Sequence, residues 1–487
     1  MAYSFQKVYT LVAQTPMIHF QYKQPGATLR ATEVKPKLDD YLLKCAEKNK
    51  IDEKTIKSWH IGYNPKDEKR YEKTYNGLNY QVRIFKSEKP EDSEITLTDC
   101  KFYFGNQGDA EEKELVFNHC KLQITCFITE LFEFIHKHIF DFFVLHNFGT
   151  RQTKGFGGFL VRYENEDGSI REQSDAEIEA AIQNSNQPYF YADVPEADKT
   201  FVKNRMNHAL TVYSVMKNGL NMTRYDEKTK TYVFEESYIK GYAMRPWLDG
   251  QYGKNDDGKG NVGGDKAFIK SRVLRPEGSD AIDARDRDYT GYTFIRALLG
   301  LAEQYEFRDR YRNNGSSKKT KDGKTTINYT PIGVTVINCP KNADGAPDID
   351  PNASEDDVKK SIAIQRFASP ITIKIFKNRI YFLFNDSYKQ MLNQTFLFRS
   401  FRKIKKETVP ESIGECLRKG HYLSTPENFD MEAFLDGFIS YYNGVKKYDP
   451  DSAKEKLKKF SYPYKNSKNL ILRKGGESNG TSKTNGK

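Results

Sequence analysis

Along the first 165 residues the spacing of apolar positions switches between strand-like and helix-like periods. Phe5–Phe20 is dense in β-branched and aromatic residues and predicts a strand. Over Thr32–Lys48, Val34, Leu38, Leu42 and Cys45 recur at helical spacing, with Pro36 placed in the first turn, where its missing N–H costs little. Leu78–Phe85 and Glu94–Phe104 predict strands, separated by a polar link that contains Pro90. Glu114–Phe127 predicts one or two more. Thr129 is placed as the cap of a helix over Glu130–His146, whose Leu131, Ile135, His138, Phe142 and Leu145 share one face. A glycine-rich turn at Gly149–Gly158 then leads into a strand at Phe159–Tyr163.

Collapsed, that order is β-α-β-β-α-β with one extra strand, the ferredoxin-like arrangement that RRM-type binders also use. The expected N-terminal domain is therefore 1–165. Residues 166–200 are polar and acidic, with a short helix at Asp175–Ile182, and predict a linker or insertion. Three further stretches, Asp249–Lys266, Arg308–Lys324 and Lys341–Asp357, predict loops. Between them the pattern predicts helices at Phe201–Met216 and Tyr292–Tyr305 and a strand at Ile332–Ile337. A hairpin follows at Ile371–Phe376 and Arg379–Phe384, turning at Lys377-Asn378. Helices are expected at Glu411–Arg418, Met431–Tyr442 and Ser452–Lys459. The reading is α+β: two ferredoxin-like (RRM-like) domains with long polar insertions and extra C-terminal helices. The second, diverged domain occupies 201–474, and 475–487 is a disordered tail.

Charge sharpens this picture. Lysine plus arginine number 77 against 66 acidic residues, a formal net charge of +11, which favours a polyanionic partner. The six cysteines contain no CxxC pair, which fits reduced thiols in a cytoplasmic protein. No long apolar run predicts a membrane-spanning helix or a signal segment.

Three stretches carry candidate chemistry. In Gly149–Phe159, four glycines and the cations Arg151 and Lys154 lie between an apolar helix and an apolar strand. Glycines at Gly155 and Gly157 let a backbone approach a phosphate, and Phe156 is placed either on a base or in the core. The order is neither that of a dinucleotide fingerprint nor that of a P-loop. Near Thr15-Pro16, the cations Arg30, Lys35 and Lys37 crowd a helix start that prefers anions, a conflict a bound phosphate would relieve. In the third stretch, Arg366 precedes a strand and Lys374 shares an alternating face with Thr372 and Phe376.

At these three places the sequence resembles the RAMP superfamily of CRISPR effector subunits. The glycine-rich loop between the second helix and the last strand is that superfamily's mark, and Thr15-Pro16 followed by Pro25-Gly-x-x-Leu-Arg30 is similar to its first motif. The Arg366-x-x-Ser-Pro370 segment looks like the tail-end subunit of the type III-B (Cmr) complex, a double ferredoxin-like protein. The chain departs from the commoner pattern in having His19-Phe20 after the Thr-Pro pair and no tryptophan in the first helix. The resemblance implies a non-catalytic subunit that contacts guide CRISPR RNA and target RNA beside other RAMP-type subunits, with no cofactor. Arg30, Lys35, Lys37, Arg151, Lys154, Gly155, Phe156, Gly157, Arg366 and Lys374 are the expected RNA surface.

Other readings stay open. Some RAMP proteins cleave guide precursors without metal, and His19 and His146 are the candidate general bases. A plain RNA-binding protein outside CRISPR and a structural scaffold are the remaining alternatives. His119, Cys120, Cys126, His136 and His138 match no standard zinc spacing, and Asp39-Asp40 reads as a solvated helix face, so no metal site is expected.

Overall fold

The computed structural model describes residues 5–18, 29–64, 66, 77–86, 115–117, 119–165, 167–196, 202–218, 223–226, 231–234, 262–274, 291–301, 304–308, 317–319, 325–327, 331–339, 341, 367–402, 420–445 and 470–476. It is a mixed α+β protein with several antiparallel sheets. Two compact units divide it: residues 1–212, 371–384 and 462–487 form the first, and 213–370 with 385–461 the second.

The first unit opens with strand β1 (Gln6–Ala13), helix α1 (Ala31–Lys48) and strands β2 (Gln81–Lys86) and β3 (Cys120–Thr125). Helix α2 (Thr129–Leu145) and strands β4 (Phe159–Glu164) and β5 (Ile170–Glu172) follow. The sheet order is β2-β3-β1-β4-β5, every pairing antiparallel. Strands β1 and β2 are thus parallel with β3 between them, and β3 and β4 are parallel with β1 between them. Two βαβ units are interleaved, which sends α1 and α2 to one face of the sheet. Alternation does the rest: Tyr9, Leu11, Leu122 and Ile124 on the sheet meet Val34, Leu38 and Leu42 of α1 and Leu131, Ile135 and Phe142 of α2 in one buried cluster. Each such fully buried side chain contributes about 1.5–3 kcal/mol.

Local details differ from the sequence expectation. Ile128, not Thr129, is the residue before α2, with no side-chain cap. The apolar Ile128 packs against the core instead. Pro36 lies in the second turn of α1 rather than the first; it and Thr32, whose carbonyl loses its helical partner there, are both exposed residues. The expected strand at Phe5–Phe20 is β1 plus the two-residue strand Met17–Ile18.

The expected acidic linker, 166–200, is built into this unit. It supplies β5, helix α3 (Asp175–Asn184) and strand β6 (Tyr189–Asp193). Ser174 and Glu177 close a capping box at the start of α3. The chain re-enters with the hairpin β7 (Ile371–Phe376) and β8 (Arg379–Phe384), and again with β9 (Leu472–Lys474), giving a second sheet of order β7-β8-β6-β9. The two-residue turn at Lys377-Asn378 is as expected, with Lys377 in the left-handed region. The expected continuous second domain over 201–474 is therefore corrected: its hairpin belongs to the first unit. The physical cause is burial. Ile178, Ile182, Tyr191, Phe376, Tyr381 and Leu383 form one apolar cluster that also takes in Leu160 of β4.

In the second unit the largest sheet runs Gln304–Arg308, Pro331–Cys339, Thr395–Arg402 and His421–Ser424, antiparallel and in chain order. That is not the interleaved order of the first. The expected helix at Tyr292–Tyr305 is instead a strand at Gly291–Thr293, a short helix at Ile295–Leu298 and the start of the strand Gln304–Arg308. Phe294 anchors this stretch with its ring 5.4 Å from Phe396 and 5.1 Å from Phe398. Part of the expected loop Arg308–Lys324 pairs as a strand, Ser317–Lys319, with Thr325–Ile327. The end of the loop expected at Asp249–Lys266 forms the strand Val262–Gly264 and opens the helix Asp265–Phe268. The helix Met431–Val445 is present as expected. Glu94–Phe104, Glu411–Arg418, Ser452–Lys459, Lys341–Asp357 beyond Lys341, and 477–487 lie outside the described residues.

Candidate nucleic-acid interface

Helix α2 stops at His146, whose backbone is extended, and the chain then makes a tight crossing before β4. Gly149, Arg151, Gly155 and Gly157 all have positive φ, and Gln152–Lys154 forms one 3-10 turn. The glycines are required, but by the protein's own backbone. A Cβ on Gly157 would lie 1.9 Å from the Phe148 carbonyl oxygen, and one on Gly149 2.6 Å from that of Ile18. A Cβ on Gly155 would press on Ile373 of β7.

The loop amides are likewise answered from within. Gly149 N–H donates to Glu33 Oε1 at 2.6 Å, Thr150 N–H to the Ile18 carbonyl at 2.9 Å, and Gly157 N–H to the Pro16 carbonyl at 2.9 Å. Gly158 N–H donates to Thr15 Oγ1 at 2.8 Å. Asn147 ties the base of the loop to β7: its Nδ2 donates to the Ile373 carbonyl at 3.0 Å and to the Gln152 carbonyl at 2.7 Å. The Thr15-Pro16 pair, the start of α1, the glycine loop and β7 thus meet in one network, so the structure unites signals from three separate stretches of sequence.

That network engages much of the expected RNA surface. Lys374 is fully buried, and its Nζ donates to Asn147 Oδ1 at 2.8 Å. Burial, with Lys37 nearby, holds its ammonium well below the ordinary lysine range. Its expected place on an exposed face is corrected, because β7 is covered on both sides. Phe156, too, points into the interior, 1% exposed. Gly155 and Gly157 are buried with their amides bonded to Gln152 and Pro16 carbonyls. Lys37 Nζ donates to the Asn147 carbonyl at 3.0 Å and to Gln152 Oε1 at 2.7 Å, and sits 3.6 Å from Glu33. Lys35 Nζ donates to Asp39 Oδ2 at 2.8 Å and to the Leu78 carbonyl at 2.9 Å. Glu33, in the first turn of α1, supplies the negative charge the helix start prefers, so no phosphate is needed to reconcile the lysines there. Arg30, Arg151 and Lys154 are half-exposed as residues, but the Lys154 ammonium itself is buried. Arg366 and His19 lie outside the described residues.

The titratable candidates among the described residues are absorbed by packing. His146 Nδ1 lies 2.9 Å from the Phe142 carbonyl, and its ring packs 4.6 Å from that of Phe142 and edge-on to Tyr41 at 5.5 Å. Burial, then the Lys374 ammonium, push its pKa down to about 4, which leaves it neutral at pH 7. His136 bonds Tyr9 Oη at 2.9 Å, His119 Nδ1 accepts the Ala13 N–H at 3.2 Å, and His138 lies against the Phe134 ring. Burial raises the Cys120 thiol to about 12. Asp39 pairs with Lys35 and Asp40 with Lys44, so the two carboxylates face apart. No three potential metal ligands gather among the described residues. Sequence reasoning missed Asn147, Gln152 and Glu33. The one available signal was a polar Asn directly after an apolar helix, where burial demands partners.

No curated protein matches this sequence. The model of the Cmr1 N-terminal domain matches residues 5–220, and that of the Cmr1 C-terminal domain matches 215–344 and 350–459. No helix among the described residues is long and apolar enough to cross a membrane. Spanned from residue 5 to residue 459 by these two matches, the chain belongs to the Cmr1 family of RAMP-type subunits of the type III-B Cmr complex.

Proposed function

We propose that this chain contacts guide or target RNA inside the Cmr complex, beside other Cmr subunits in the cytoplasm, and does not itself cut RNA. The observation that carries the reading is the family match along nearly the whole chain. Two others support it. The net charge of +11 suits a polyanionic partner. The interleaved strand order of the first unit is that of ferredoxin-like, RRM-like domains, a scaffold on which single-stranded RNA is commonly bound. Beside the loop network, Arg30 and Arg151 are half-exposed and suit contacts to phosphates, whereas the Lys154 ammonium is buried and would need the loop to shift. Sequence specificity then comes from guide pairing rather than from this chain.

The test is to assemble the complex on guide RNA with and without this chain, then measure target capture and ultraviolet crosslinking to it. Crosslinked, intact RNA and weaker capture without the chain are expected. An assembled complex in which the chain never crosslinks would favour the scaffold. Cleavage in EDTA that disappears in His146→Ala would make it a metal-free processing nuclease instead.

A further inference from the structure

The helices cover one face of the first sheet; on the other face, among the described residues, Val8, Arg83 and Phe85 are exposed, Lys121 and Gln123 are half-exposed, and Thr10 is buried. With Tyr9, Leu11, Leu122 and Ile124 turned inward, the strand pleat turns Val8, Thr10, Arg83, Phe85, Lys121 and Gln123 outward. Register aligns them in two rows across the strands. Val8 lies opposite Gln123, which lies opposite Arg83; Thr10 lies opposite Lys121, which lies opposite Phe85. Phe85 is 44% and Val8 40% exposed, and Arg83 is exposed. Lys121 Nζ donates to Thr10 Oγ1 at 2.7 Å, which holds its ammonium on this face. None of the three strands contains an aspartate or glutamate.

An isolated exposed phenylalanine needs no explanation. This ring stands beside two cations on diagonal positions, with a glutamine amide between the strands and no carboxylate paired with them among the described residues. A cation pair with no counter-charge among the described residues favours an anionic partner. An acidic peptide would use the charges but has no need of an exposed ring. Unpaired bases do, because a flat aromatic surface stacks on them while the flanking cations hold the backbone. A duplex keeps its bases stacked and offers none.

We infer that the open face of β1, β2 and β3 binds single-stranded RNA, with Phe85 stacking on a base, Arg83 and Lys121 on phosphates and Gln123 on a base edge. The inference rests on the reading that the chain meets RNA, and it assigns a surface separate from the glycine loop.

The experiment uses the full chain and fluorescein-labelled oligouridylate, read by anisotropy across a salt series. Phe85→Ala is expected to weaken binding about tenfold, while Phe85→Tyr, which keeps the ring, stays near wild type. Arg83→Gln with Lys121→Gln is expected to flatten the salt slope by about 1.4. Phe85 and Arg83 are exposed and Lys121 half-exposed, and an unchanged melting temperature certifies each variant as folded. Wild-type affinity and slope in all the folded variants would overturn the assignment. So would failure of the wild-type chain to bind oligouridylate, or protection of this face by an acidic subunit with no effect of the variants on RNA. In those cases RNA crosslinks to the chain within the assembled complex would leave the proposed function standing.

Discussion

The glycine loop and the open sheet face are both cationic, and both belong to the first unit, but they use their charges in opposite ways. The loop turns its polar groups inward. Lys37 and Lys374 converge on Asn147, Glu33 takes a loop amide, and the glycines exist because Phe148 and Ile18 carbonyls leave no room for a Cβ. The sheet face turns its charges outward, since every inward position of β1 and β3 is already filled by an apolar side chain apart from Lys7. Density of glycine and lysine in a sequence therefore marks a constrained crossing as readily as a ligand site. Exposure on a regular strand is the better guide to a binding surface, because alternation turns the outward side chains away from the core, where at most they bond one another, as Lys121 bonds Thr10.

The comparison breaks most visibly at Gly157. Gly157→Ala must place a methyl within 1.9 Å of a backbone oxygen at φ +72, and a loss on the order of 4 kcal/mol is expected in urea unfolding. A loss below about 1 kcal/mol would mean that the crossing can relax and that the glycine serves something else. Next in size is acid sensitivity. The folded-state pKa of His146 lies below its ordinary value of 6.5, at about 4, so between these values the unfolded chain holds more protons. Its contribution is complete above pH 6.5 and is lost as pH falls to 4, a change of about 3 kcal/mol. His146→Phe should remove that part of the pH dependence of the melting temperature.

Asn147→Ala takes the acceptor from Lys374 and a donor from the Ile373 carbonyl, and should cost about 1–3 kcal/mol. The loss should shrink as pH rises through the lowered folded-state pKa of Lys374, well below 10.5. A lysine whose folded pKa is lowered binds its proton less tightly in the native state, so alkaline conditions favour the fold and relieve the buried charge. Smallest in stability, and most useful as a contrast, is Phe85→Ala. It should change unfolding by no more than about 0.5 kcal/mol, because the ring is already half in water. A large loss there would show that the sheet face is a covered surface and would collapse the distinction between the two regions.

Much of the first unit was legible in the sequence. The apolar periods of α1 and α2, the alternation of β3 and the hairpin at Lys377-Asn378 report local rules that hold wherever the segment ends up. The rule failed at Tyr292–Tyr305, where a short apolar run fits a helix or a strand equally and packing on Phe396 and Phe398 decided.

What the sequence by itself determined, then, is composition and local order: a net charge of +11, the β-α-β-β-α-β succession of the first unit, and motifs pointing to the family that the matches bear out. What only the tertiary structure decided is which of those residues face water. Asn147 and Lys374 are 227 positions apart, and Ile371–Phe384 reads as part of a later domain until it is seen packed on β6 and the glycine loop. Burial is a property of long-range neighbours. A lysine on an alternating strand carries the same local signal whether it ends half-exposed, as at Lys121, or buried against the protein's own loop, as at Lys374.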